Sequence, residues 1–236
     1  MSNEDFSVDS LAAYLHLSPS QVSRLAEREQ IPGRKVAGQW RFAAADVHHW
    51  LEHRLGLLEE QPLAHVESVL DRSAPAGEAP VLIAELLPVE AIAVPLAVRT
   101  RRSVIDSMAQ LAAETGLLWD AAGMAEAVQA REELQPTAME NGVALLHPRR
   151  PMANIIAEPH LALGVTAGGI PFGGARGALT DVFFLVCAID DRGHLRTLAK
   201  LSRIISRDGF LSALRQAPDA QAAHRALVEY EAELDD

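Results

Sequence analysis

Cysteine is nearly absent: Cys187 is the single thiol in 236 residues, so no intrachain disulfide can form, as suits a reducing cytoplasm. No run of about 18 apolar residues occurs, which argues against a transmembrane helix. The opening stretch MSNEDFSVDS is acidic and lacks an apolar core, so no signal peptide is expected and no membrane partner is foreseen. Net positive charge is lacking too. Lys and Arg number 21 against 32 Asp and Glu, a net charge of −11, which excludes a general polyanion coat and leaves room only for a local basic face. No catalytic triad, carboxylate pair or cofactor motif is visible. The glycines of TAGGIPFGGARG are not followed by the Lys-Ser/Thr of a phosphate loop and read as a turn. A self-contained metabolic enzyme is therefore disfavoured, and no cofactor is expected.

The composition that remains, 49% hydrophobic and 22% charged, is that of a globular chain and excludes disorder over most of its length. No internal repeat is evident. The stretch QPLAHVESVLDRSAPAGEAP starts with a short helical pattern and ends in small residues and prolines, which reads as a linker. The expected organisation is two domains, residues 1–60 and 81–236, joined by a short helix and linker at 61–80.

The first segment reads helix, turn, helix, hairpin, helix. Val8, Leu11, Ala12 and Leu15 give the first helix. Ser18-Pro19-Ser20-Gln21 is a helix start, with Ser18 as cap, Pro19 in the first turn and Gln21 completing a capping box. Val22 and Leu25 face inward, and Ile31-Pro32-Gly33 ends the helix. RKVAGQWRF alternates about Gly38 as a hairpin does. Val47, Trp50, Leu51 and Arg54 continue as a helix towards Leu58. The fold class expected here is a winged helix-turn-helix, mostly α with a β-hairpin wing.

That geometry lays the second helix in a DNA major groove. Ser20, Gln21, Ser23, Arg24 and Arg28 are its exposed positions. Gln and Arg make bidentate contacts to base edges and Ser reaches bases or phosphates. Arg34, Lys35, Gln39 and Arg41 of the hairpin would position the module on phosphates. Against this, residues 1–60 hold six basic and nine acidic side chains, a net −3, although the cations cluster between positions 24 and 41. A solvated face with no DNA partner stays open on charge alone.

Residues 6–51, from SVDSLAAYL and LSPSQVSRL through IPGRKV to GQWRF and DVHHWL, resemble the excisionase-type winged helix-turn-helix module. The resemblance implies sequence-specific binding to double-stranded DNA. Ala43–Ala45 depart from it, where such modules often carry polar or basic residues.

The second segment alternates helical runs (103–115, 121–132, 194–205, 210–217 and 220–234) with strand-like runs (142–146, 160–165 and 181–189). GGIPFGGARG reads as the loop between the last two strands. This predicts an α/β (α+β) layered domain with a mixed sheet flanked by helices. His147 follows the apolar run GVALL and should emerge at a strand end, with Arg149 and Arg150 next and Arg131 upstream. Imidazole is a competent nucleophile at neutral pH, and arginine binds phosphoryl oxygens in bidentate fashion. His194 opens a helix, where an anion is favoured. Metal ligation by His147, His194 and Cys187 with Asp190 or Asp191 is a second reading, and two structural histidines that never meet are a third. Arg99, Arg101 and Arg102 read as a solvated helix start or a partner surface.

Residues 81–234 resemble the enzyme IIA domain of the bacterial sugar phosphotransferase system, mannitol/fructose type, and its nitrogen-regulatory relative. ELLPVEAI, the helix ending in ARE, TAMENGVALLH, GIPFG, DVFFLVCAI and HLRTLAKLSRII carry the resemblance. It implies that His147 accepts a phosphoryl group from a phosphocarrier protein, with Arg131 and His194 flanking the centre. Leu146 stands where the family usually has proline, and a proline follows instead, at Pro148. HPRRP is also more cationic than usual, so Arg149 and Arg150 would suit a non-covalent anion.

Together these readings predict a cytoplasmic transcription regulator, acting as a homodimer on paired half-sites and sensing phosphorylation at His147. The dimer contact would come from His65–Leu70 or from the sensor domain. A ligand-gated regulator without phosphotransfer and a protein adaptor without DNA binding are the alternatives.

Overall fold

The computed structural model describes residues 5–15, 17–43, 46–47, 50–51 and 80–235. The chain divides into two compact units, Met1–Pro80 and Val81–Asp236. In the first unit the capping box forms as the sequence requires. Ser18 Oγ accepts from the Gln21 amide at 3.2 Å, and Gln21 Oε1 accepts from the Ser18 amide at 2.8 Å. Helix α2 (Pro19–Glu27) starts there, after α1 (Val8–Leu15). Strands β1 (Arg34–Val36) and β2 (Gln39–Arg41) pair antiparallel, Lys35 opposite Trp40. Ala37 and Gly38 join them at φ 49° and 79°, a left-handed pair whose twist matches the strands.

Leu11, Val22, Ala26, Ile31, Phe42, Val47 and Leu51 form the core of this unit. Each Leu- or Phe-sized side chain so buried contributes about 1.5–3 kcal/mol. Phe6 and Phe42 exchange both backbone hydrogen bonds, at 2.7 and 3.0 Å, and Phe6 stacks on Tyr14. Of the predicted third helix, Asp46, Val47, Trp50 and Leu51 are helical. Its continuation to Leu58, the 61–79 segment and the His65–Leu70 stretch lie outside the described residues.

The second unit is built on a four-stranded mixed sheet in the order β3-β5-β6-β4. The strands are β3 (Ile92–Ala93), β4 (Val143–Leu146), β5 (His160–Pro171) and β6 (Leu179–Cys187). β3 runs parallel to β5, β5 antiparallel to β6, and β6 parallel to β4. Leu161, Leu163, Val182, Phe184 and Val186 are buried as fully as Ala162, Phe183, Leu185 and Cys187. Because successive strand residues point to opposite faces, such continuous apolar runs require cover on both.

Helices α4 (Arg101–Glu114) and α5 (Ala121–Leu134) pair with each other, and their apolar residues join Ala144, Leu146, Phe183, Leu185 and Cys187 in one core. A Cβ on Gly164 would stand 2.6 Å from Leu96 and 2.7 Å from Met108, so glycine is what lets α4 settle onto β5. Helix α6 (Asp191–Ile205) packs on β6 and against α3 (Ile83–Leu86), α7 (Phe210–Gln216) and α8 (Ala220–Asp235). Buried Glu231 of α8 accepts the Ile83 and Ala84 amides at 2.7 and 2.8 Å, capping the start of α3.

Two expectations are corrected. GGIP, expected within a loop, is strand: after a register shift between Val165 and Ile170, Ile170 pairs with Thr180 and Pro171 with Leu179. Buried Ile170 anchors the continuation, and the turn shrinks to residues 172–178. The helix expected from Ser103 begins at Arg101, because Thr100 and Ser103 form a second capping box.

Candidate functional site

Strands β4 and β6 are parallel neighbours, so their carboxyl ends reach the same side of the sheet, where open α/β sheets place ligands. His147 directly follows β4. Residues 188–190 lead from β6 into α6, whose N-cap Asp190 accepts the Gly193 amide at 2.9 Å. His194 lies in the first turn of that helix.

The two imidazoles meet, with ring centroids 4.9 Å apart and planes tilted by 57°. Both side chains are buried, at 3% and 5% exposure. His147 Nδ1 is 2.8 Å from the Leu145 carbonyl oxygen. A carbonyl can only accept, so Nδ1 carries a proton and the lone pair of the neutral ring lies on Nε2.

Arg131 lies in the last turn of α5, from which the chain runs on into β4. Residues 138–144 form a tight hairpin: Ala138 bridges Ala144, the Met139 amide donates to Val143 O at 2.7 Å, and the Gly142 amide closes the turn on Met139 O. Gly142 has φ 88°, and a Cβ there would meet the Arg215 guanidinium at 2.7 Å. Arg215 forks onto Asp181 at 2.8 and 2.9 Å and donates to Asn141 O at 2.7 Å, fixing the turn to β6. Ahead of that bridge the chain runs back through Pro136 to Gln135, the C-cap of α5. Arg131 Nη1 donates to Gln135 O at 2.6 Å, and Arg131 is buried.

Arg149 and Arg150 are exposed just past Pro148 and pair with no described residue. Cys187 stands opposite His160 across β5 and β6. Burial pushes its thiol up to about 12, so it remains protonated and inert. Burial also lowers the His160 pKa, against its bond to Glu158 O. Among the described residues no group of three or more His, Cys, Asp or Glu side chains is arranged to hold a metal ion.

Sequence reasoning missed Glu132 and misread Arg101. Glu132 is fully buried and accepts from the Thr137 amide and hydroxyl. Burial raises its pKa, opposed by the Thr137 bonds and by the charges of Arg101 and Arg131. Arg101, expected to be solvated, is half-buried and turns onto Glu132. The signal available was the bare Arg-Glu pair at 131–132, which carries no pointer to position 101.

In the first unit, Ser20, Gln21, Arg24 and Arg28 are exposed on α2, and Ser23 is half-buried. Arg24 and Arg28 pair with no described residue. The hairpin cations are engaged instead. Arg34 bonds Asp5 at 2.7 Å, which raises its pKa. Lys35 lies over the Trp40 ring at 5.1 Å, and Arg41 donates to Gln39 Oε1 at 3.0 Å.

The chain joins a helix-turn-helix unit to an α/β unit in which a histidine following β4 meets a histidine in the first turn of α6. Residues 85–230 match the family described as phosphoenolpyruvate-dependent sugar phosphotransferase system, EIIA 2, and residues 6–55 match a helix-turn-helix domain. The chain belongs to this EIIA family, with an excisionase-like helix-turn-helix at its N-terminal end.

A nitrogen regulatory protein of Bradyrhizobium diazoefficiens is 31% identical over 149 residues, 62% of this chain and 94% of that protein. The fructose-specific EIIABC component of Bacillus subtilis is 27% identical over 142 residues, 59% of this chain but 22% of that component. The solved nitrogen regulatory protein IIA-Ntr of Neisseria meningitidis shares the fold at a TM-score of 0.56 and 23% identity, over 62% of this chain and 99% of that one. Among the described residues no helix is long and apolar enough to cross a membrane.

Proposed function

We propose that this chain is a DNA-binding transcription regulator whose IIA unit senses phosphorylation of His147 by a phosphocarrier protein. The observation that carries the reading is the buried pair of imidazoles with the His147 Nδ1 proton tied to a carbonyl. The Nε2 lone pair of His147 attacks the phosphorus of the carrier's phosphohistidine. A new N–P bond forms, the donor N–P bond breaks, and the donor imidazole leaves with its electron pair. His194 donates a hydrogen bond to the phosphoryl group, Arg131 pairs with its oxygens, and the first turn of α6 favours the negative charge. The new charge of about −2 alters a domain or subunit interface of a homodimer, and with it the affinity of α2 and the hairpin for operator DNA. The likeness to nitrogen regulatory proteins supports a regulatory outcome.

The test mixes the full chain with enzyme I, phosphocarrier and labelled phosphoenolpyruvate. Acid-labile label is expected on the wild type and none on His147→Ala, and the two forms should differ in operator affinity by gel shift. His194→Ala should fold and shorten the lifetime of the label about tenfold or more. No label beside a competent IIA control would overturn phosphotransfer.

A second reading is a regulator gated by a non-covalent anion. Leu146 favours it: this buried residue pairs with Leu185 where a proline is usual. Calorimetric binding of small phosphorylated metabolites, lost in Arg131→Ala, would select it. An unshifted operator at low salt would leave the adaptor reading.

A further inference from the structure

The base of helix α5 is held by a cluster that no part of the proposed transfer step uses. Arg101 Nη2 donates to the Glu132 carbonyl at 2.5 Å and lies 3.3 Å from its carboxylate. The guanidinium also sits over the Phe172 ring at 5.3 Å, and Phe172 packs edge-on against Phe183 of β6. The Glu132 carboxylate gathers the Thr137 amide and hydroxyl from the segment that leads into the hairpin. The cluster therefore joins the start of α4, the end of α5, the approach to β4 and the turn after β5.

Three features set this apart from ordinary surface pairing. Arg101 occupies the first position of α4, where a cation opposes the helix dipole. That local conflict needs a compensating role. The last carbonyls of a helix also lack intrahelical partners, and Arg101 satisfies one of them, Glu132 O, at the end of α5. Glu132 itself has no exposed surface, contacts Arg101 and feels the charge of Arg131 as well. A buried carboxylate in that position fixes where the neighbouring guanidinium can point, because moving it away leaves a charge uncompensated.

We infer that Arg101 and Glu132 are positioning residues: through the end of α5 they hold the Arg131 guanidinium in its set place against Gln135 O, ahead of the hairpin that feeds β4 and His147. The inference rests on the phosphotransfer reading for its consequence but not for its geometry. Arg131 is pre-set against Gln135 O, so the site pays little ordering entropy when a phosphoryl group arrives.

The experiment uses the full chain with two readouts. The first is the side-chain Nε–H resonance of Arg131, assigned by its disappearance in Arg131→Lys. It should exchange slowly with solvent in the wild type and at least tenfold faster in Arg101→Ala and Glu132→Gln. The second is transfer from the phosphocarrier. The rate constant should fall about tenfold in Arg101→Ala while the KM for the carrier stays unchanged, with partial recovery in Arg101→Lys. A merely structural role would move thermal stability and spare both the Arg131 signal and the split between rate and KM. An unchanged Arg131 resonance in folded Arg101→Lys and Glu132→Gln would overturn the inference. A wild type that takes no label would overturn the phosphotransfer reading alone, since the Arg131 signal still decides the positioning role.

Discussion

The basic side chains of α2 and the hairpin and those nearest the paired histidines are held in opposite ways. In the first, Arg24 and Arg28 stand exposed on α2, and Arg34 is 69% exposed even while paired with Asp5. In the second, Arg131, His147 and His194 are all at most 5% exposed and fixed by backbone carbonyls or by one another. Exposed cations act through a field that salt screens within about 8–10 Å. Buried groups act at hydrogen-bond range, where desolvation makes each contact strong and each misplacement costly. The first arrangement suits a long, uniform polyanion. The second suits a single small dianion brought to a fixed point.

The sharpest way to break this contrast is salt. Engagement of Arg24, Arg28, Lys35 and Arg41 with phosphates predicts a loss of DNA affinity of about 10²-fold between 50 and 200 mM salt. The extent of His147 phosphorylation should change less than about twofold over the same range, and an equal response in both assays would erase the distinction. Next in size is Arg24→Ala, expected to cost about 1–3 kcal/mol in operator binding if Arg24 reads a base edge. Competition against random DNA checks it: a uniform loss would assign Arg24 to phosphate.

A smaller effect separates the units by pH. The His160 pKa is lowered by burial below its usual value of about 6.5. The neutral ring therefore stabilises the fold fully above pH 6.5, and that contribution is lost as pH falls through the folded-state value. Urea titrations should show the wild type losing stability on acidification more steeply than His160→Gln. The smallest expected effect is that of Asp5→Asn. Freed of its carboxylate, Arg34 should tighten DNA binding by a few-fold and steepen the salt slope by about one. Unchanged affinity and slope would place Arg34 off the phosphates.

Much of the fold was legible because local chemistry and pattern agreed. Ser18 and Gln21 announced the capping box, and Asp181–Ile189 read as strand from its apolar run alone. The errors have physical causes. Gly168 and Gly169 look like loop residues, yet a strand passes through them, because the pairs beyond the register shift restore the ladder. β3 spans two residues, too short for a periodic signal, and forms only through its parallel pairing with β5.

His147 and His194 stood out because a strand end and a helix start are readable positions, and their rings meet; Arg131 stood out by its charge beside Glu132. Glu132 and Arg101 did not, since their partnership spans 31 residues of sequence and exists only once α4 and α5 pack. Arg149 and Arg150 drew attention by charge, and the structure leaves them in solvent.

The capping of α2 also bears on which bases that helix can select. Gln21 Oε1 is already occupied, accepting both the Ser18 amide and the Ser18 hydroxyl, at 2.8 and 2.9 Å. What the side chain can offer a major groove is its NH₂ alone. A glutamine that reads adenine uses both ends, donating to N7 and accepting from N6. With its acceptor retained by the helix, Gln21 is left as a donor to guanine N7 and O6, thymine O4 or adenine N7, and it cannot read the adenine N6 amine. An operator half-site for this chain should therefore present an acceptor at that step. An adenine there would be discriminated only if the helix gave up its own first turn.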